Sequence, residues 1–114
     1  MCKFGDLFYA DLPILADSKI QQGKRPVMVV SNDLNNQHSS VISIVPLTGH
    51  LKKTCLPTHV PINGYGLNRP SIVLAEQIQT LDKSRLLCQI GTVADQDKRR
   101  EIQKALMVQL NMTA

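Results

Sequence analysis

Apolar positions in the first four fifths of the chain fall in short runs or strict alternations, and only the last fifth has a helical period. Leu7 to Leu12 carries Phe8 and Tyr9 and stops at Pro13, which predicts a strand. Pro13 to Lys24 is a long polar connection broken by Pro, Asp, Ser and Gly, a length that in a compact domain points to a lid or binding loop. Pro26 to Ser31 is a β-branched run suited to a strand buried on both faces. Asn32 to Ser40 is built of turn formers, all but Leu34, and predicts a loop. Val41 to Thr48 reads as the next strand. Leu56 to Ile62 alternates, with Leu56, Thr58, Val60 and Ile62 on one face and Pro57, His59 and Pro61 on the other. Proline has no donor for a ladder, so this segment is expected at a sheet edge. After a turn at Asn63-Gly64-Tyr65-Gly66, strands are expected over Ser71–Gln77 and Leu86–Val93. Strands at this spacing suit a small sandwich or barrel.

From Asp95 the period changes. Ile102, Ala105, Leu106, Gln109 and Leu110 fall on one helical stripe, with Asp95 or Asp97 as N-cap. Met107, Val108 and Met112 lie beside the stripe and are expected to widen its core face or, as the second reading, to touch a partner. The whole chain, 1–114, reads as one domain, mainly β with a C-terminal helix.

With 43% hydrophobic and 19% charged residues, the composition is globular, not disordered. Apolar runs reach four or five residues, against the roughly 20 of a membrane span. The N-terminus lacks the apolar segment of a signal peptide. Three cysteines, Cys2, Cys55 and Cys88, form no Cys-x-x-Cys pair, which fits a reducing cytoplasm. No Trp and 4% aromatics argue against a platform of stacked bases.

Thirteen basic against nine acidic residues give a net charge of +4, which favours a polyanionic partner. Lys19 and Lys24 flank the long loop beside Gln21 and Arg25, Lys52 and Lys53 sit in a second loop, and Arg69 in a third. Lys98, Arg99 and Arg100 read as a solvated helix face. No phosphate loop, dinucleotide fingerprint, zinc-protease motif or nucleophile elbow is present, and no metal-ligand spacing or cofactor motif occurs. His38, His50 and His59 lie in separate segments, where a surface or hydrogen-bonding role is the simpler reading of each; His50 stands two residues past Thr48.

One geometric inference goes further. If the strands at Pro26–Ser31 and Val41–Leu47 form a hairpin about the Asn32–Ser40 loop, its centre falls within one residue of the midpoint between Arg25 and Thr48. Those two residues then face each other, with Cα atoms about 4.5–5.5 Å apart. A guanidinium fork grips a phosphate through two bonds, and a hydroxyl donates to a third oxygen. The plainer reading is a solvated Arg at a strand start and a Thr filling a β position.

At these residues the chain resembles a family. Gly5-Asp6-Leu7-Phe8-Tyr9-Ala10-Asp11-Leu12, Gly23-Lys24-Arg25-Pro26-Val27, Pro46-Leu47-Thr48, Ala75-Glu76-Gln77-Ile78-Gln79-Thr80-Leu81-Asp82 and Ile90-Gly91-Thr92-Val93 follow the order of the MazF/PemK-type toxins of bacterial toxin–antitoxin pairs. The resemblance spans Gly5 to the terminal helix. It implies an SH3-like barrel, a homodimer, a cognate antitoxin protein covering the RNA groove, and metal-independent cleavage of single-stranded RNA. The 2′-OH would attack the adjacent phosphate, leaving a 2′,3′-cyclic phosphate and a 5′-OH. Arg25 and Thr48 fall on the family's catalytic pair. Glu76 and Gln77 fall on a segment that lines the RNA groove or assists catalysis in some members.

The chain departs from many relatives at Ser18-Lys19-Ile20-Gln21-Gln22, where a Glu is replaced by Lys19 with a one-residue insertion, and at Pro70, where an acidic residue is usual. A guanidinium stays protonated and makes a poor base, which leaves the proton carrier open, with Glu76 and His50 as candidates. The rival from another class is a gyrase-poisoning toxin of the same barrel. It would act through its terminal helix and would not need Arg25 facing Thr48.

Overall fold

A computed structural model describes residues 1–51 and 56–112. Its strands are β1 (Asp6–Leu12), β2 (Gly23–Val29), β3 (Val41–Thr48), β4 (His59–Ile62), β5 (Ser71–Leu74), β6 (Gln79–Asp82) and β7 (Leu86–Thr92). Helix α1 (Asp33–His38) lies between β2 and β3, and α2 (Gln96–Gln109) follows β7. The sheet is antiparallel throughout, in the order β4-β5-β3-β2-β1-β7 with β6 also on β3.

The long β3 organises the fold. Its first half, Val41–Ile44, pairs with β6, and its end, Leu47–Thr48, pairs with β5. Pro46, which has no N–H to donate, stands between those two stretches. Val27–Val29 of β2 are buried on both faces, as predicted, but the strand runs from Gly23 to Val29 instead of Pro26 to Ser31, and Lys24 and Arg25 at its start are exposed. Met28 belongs to a core with Leu7, Val45, Leu47, Val60, Val73, Ile102 and Ala105 beneath α2. Val27 and Val29 belong to a second core with Ala10, Leu12, Ile42, Ile44 and Leu81. The Pro-bearing β4 is an end strand, as expected. Where the 65–66 turn crosses β7 only glycine fits, since a Cβ on Gly91 would lie 1.9 Å from the Tyr65 carbonyl oxygen.

Five expectations need correction. Asn32–Ser40 contains a helix: the Asn32 side chain accepts from the Asn35 N–H, and Asn36 is buried, its amide donating to the Ser31 carbonyl at 2.9 Å. The strand expected over Ser71–Gln77 ends at Leu74, and residues 75–77 turn in a 3-10 coil. The edge strand begins at His59 instead of Leu56, and β6 was not expected at all. Met107 and Met112 are exposed and Val108 is half-buried, so only Ile102 and Ala105 of α2 are fully buried. The helix stops because Asn111 turns left-handed (φ 57°), letting Asn111 N–H reach Val108 O and Met112 N–H reach Met107 O at 2.7 Å. Arg99, finally, is not a solvated cation. It donates to Val93 O and to Phe4 O and lies 5.5 Å from the Phe4 ring centre, anchoring α2 to the N-terminus.

Candidate nucleic-acid site

The β2–β3 register pairs Val27 with Pro46, Met28 with Val45 and Val29 with Ile44. Carried two residues toward the open end, the same register sets Arg25 level with Thr48. Helix α1 does not disturb it, because the coil absorbs residues inside the loop without changing how many separate the two strands. The pair does not share one cavity, however. Arg25 lines a hollow of about 320 Å³ with Lys24, His50, Arg69, Tyr9 and Asn68. Thr48 lines a second hollow of about 390 Å³ with Gln21, His50, His59, Glu76 and Gln77, above Ile72 and Leu74. His50 belongs to both.

In the first hollow Lys24, Arg25 and Arg69 are exposed, and no carboxylate lines the space. The Arg25 Nε donates to the Gln22 carbonyl at 3.0 Å, which holds the arm and leaves the outer guanidinium nitrogens for a ligand. Lys24 sits opposite Asp11 in the β1–β2 ladder, but the nearest cation to the Asp11 carboxylate is Arg85, at 3.9 Å.

The second hollow is a hydrogen-bonded wall. The 3-10 turn after β5 brings Glu76 back over the chain before β4, where Ala75 N–H bonds to Thr58 O at 3.1 Å. Glu76 then accepts from the Thr58 hydroxyl at 3.0 Å and pairs with His59 Nε2 at 2.9 Å. Thr48 is buried, and its Oγ1 accepts from the His50 N–H at 3.2 Å. A hydroxyl that accepts still has its own hydrogen to give. Gln77 Oε1 accepts from Gln21 N–H at 2.8 Å, tying the long loop to this wall. Gln21 Oε1 is buried without a hydrogen-bond partner. Gln22 braces the loop from within, accepting from Leu15 N–H and donating to Leu15 O.

Of the residues singled out from the sequence, Gln21, Lys24, Arg25, Thr48, His50, Glu76 and Gln77 come together around these hollows. Lys19 does not: it is exposed on the loop and lines neither. Lys52 and Lys53 lie outside the described residues. Sequence reasoning missed Thr58 and gave His59 only a generic hydrogen-bonding role. It also left Arg69 as an unassigned loop cation. The missing signal was the pairing of β3 with β5, which brings the Arg69 turn alongside Gly49. Among the described residues no group of three or more His, Cys, Asp or Glu gathers as metal ligands would.

Residues 3–110 match the family described as the PemK-like, MazF-like toxin of type II toxin-antitoxin systems. The chain belongs to that family. It is 40% identical over 110 residues to the endoribonuclease EndoA of Bacillus subtilis (strain 168), covering 95% of this chain and 93% of that protein. Among solved structures, an endoribonuclease in complex with its cognate antitoxin from mycobacterial species superposes with a TM-score of 0.82 at 26% identity, over 100% of this chain and 99% of the other. MazF from Deinococcus radiodurans gives 0.81 at 27% identity, covering 97% of each chain. The barrel-plus-helix architecture expected from the sequence is the one these PemK/MazF toxins share, with β4 and β7 as the sheet's ends. Among the described residues no helix is long and apolar enough to cross a membrane.

Proposed function

We propose that this toxin cuts single-stranded RNA at the junction of the two hollows. The observation that carries the reading is that Arg25 lines a cationic hollow with no acid among its described lining, Thr48 lines the next, and His50 lines both. Kinship with EndoA supports ribonuclease chemistry over gyrase poisoning.

In this reading a phosphodiester lies across Arg25 and Thr48. The 2′-oxygen bonds to phosphorus as the P–O5′ bond breaks, giving a 2′,3′-cyclic phosphate and a 5′-OH. The nucleophile is already part of the substrate, so orientation and charge stabilisation make up most of the protein's task. Arg25 offsets charge on the non-bridging oxygens, and Thr48 donates its free hydroxyl hydrogen to one of them. The 2′-OH proton passes to His50, which lines both hollows and is exposed, whereas the Glu76 carboxylate is engaged by Thr58 and His59. The 5′-oxygen takes a proton from solvent water as it leaves. The protein works in the cytoplasm as a homodimer, held inactive by a cognate antitoxin. A mycobacterial relative is seen in such a complex.

The test is incubation of the purified protein with a long single-stranded RNA in a chelator. Discrete cuts bearing cyclic phosphate ends are expected. A 2′-deoxyribose placed before a mapped cut should abolish that cut alone. Retention of RNA without cuts by a folded protein would overturn the reading, as would cleavage at the deoxy position.

A further inference from the structure

We infer that Arg69 binds a second phosphodiester of the RNA, one neighbouring the bond that is cut; this rests on the nuclease reading above. The Arg69 side chain lies flat across the backbone of Gly49. A Cβ built there would come within 3.0 Å of its Cδ, 3.2 Å of Nε and 3.3 Å of Nη1. The missing side chain at residue 49 is what admits the guanidinium to the hollow that Lys24 and Arg25 also line. Among the described residues none of these three cations is paired with a carboxylate. The chain's other arginines are used differently: Arg85 and Arg100 pair with Asp11 and Asp97, and Arg99 is tied to backbone carbonyls.

Three cations held on two different segments, around a space of about 320 Å³ with no acid, repel one another until an anion enters. Arg69 reaches this hollow across Gly49, from a different segment than Arg25, so one phosphate held by Arg25 leaves the Arg69 charge for another. RNA presents charges at regular intervals along its strand, so a polynucleotide fills both positions where a single phosphate fills one. Arg69 is therefore a binding residue for the backbone beside the cut, with no part in the bond making.

Binding of the long RNA by wild type, Arg69→Ala and Arg69→Lys is measured over a salt series. Arg69→Ala should weaken binding about tenfold at low salt and lower the slope of log K on log salt by about 0.7, one single-strand phosphate. Arg69→Lys should keep the slope while losing part of the affinity, since an ammonium lacks the fork. Gly49→Ala, which leaves the charge intact but pushes the guanidinium aside, should reproduce part of the loss. On an oligonucleotide spanning a mapped cut, a neutral methylphosphonate at the gripped position should cost wild type about tenfold and Arg69→Ala nothing further. An unchanged slope in Arg69→Ala overturns the inference, as does an equal methylphosphonate penalty in both proteins. If wild type binds the RNA without cutting it, only the nuclease reading fails, and the slope still decides Arg69.

Discussion

Among the described residues, the cations of the hollow around Arg25 are exposed and meet no acid, whereas in the hollow around Thr48 most polar groups, Gln21 Oε1 apart, are already partnered with one another. The first is unsatisfied in electrostatic terms and waits for a polyanion. The second is largely satisfied and gains little from one. A functional site leaves interactions unmade until its ligand arrives, so in the proposed reading most of the free energy for binding and for the transition state would come from the Arg25 side. The Thr48 side supplies a rigid wall. Substitutions in the two hollows should therefore differ in kind, with rate and salt dependence on one side and stability on the other.

The largest effect is expected at Arg25. Arg25→Ala should slow single-turnover cleavage about a thousandfold, the upper range for one charge-stabilising donor. Its thermal midpoint should stay within about 1 °C of wild type, because the side chain is exposed and its one protein bond is to the Gln22 carbonyl. Cleavage above a tenth of the wild-type rate by a folded Arg25→Ala protein would erase the contrast between the hollows.

The strands that carry this pair were legible because their patterns are strong. Val41–Thr48 is β-branched and apolar, and its boundaries match the observed strand. The register was legible to within a residue, since the observed pairs are symmetric about the point between Asn36 and Gln37. Elements held by side chain–backbone bonds were not legible. Helix α1 has no apolar stripe and stands on Asn32, Ser31 and Asn36 bonds that look like turn chemistry. Strand β6 has one buried apolar residue, Leu81, and exists because the first half of β3 needs a partner. The site was half visible. Residues adjacent in sequence to the Arg25–Thr48 hairpin were found, while Thr58, His59 and Arg69 enter through β4–β5 pairings, and the sequence offered no symmetry to place those.

Thr48→Val tests the hinge between the two sides. It keeps the shape of a buried residue and removes the hydroxyl that accepts from the His50 N–H. One lost hydrogen bond to a charged oxygen in the transition state should slow cleavage about ten- to a hundredfold, with little change in KM. Thr48→Ser should restore most of the rate. A loss as large as that of Arg25→Ala would mean that Thr48 does more than donate one bond, and the wall would have to be counted as chemistry.

The smallest kinetic effect is expected at Glu76. Glu76→Gln keeps an oxygen to accept from Thr58 but turns an amide toward His59 Nε2, where a carboxylate oxygen stood at 2.9 Å. Losing the charged half of that contact should cost about 1 kcal/mol, a fall of roughly 4 °C in thermal midpoint for a chain of this size. Removing a negative charge beside a polyanion should also lower KM slightly, while kcat changes by less than tenfold. Kinetics and thermal unfolding on the same preparation separate the two roles. If kcat instead fell a hundredfold or more with the midpoint unchanged, Glu76 would be the proton carrier in place of His50, because general-base losses reach that size and a structural contact moves stability first.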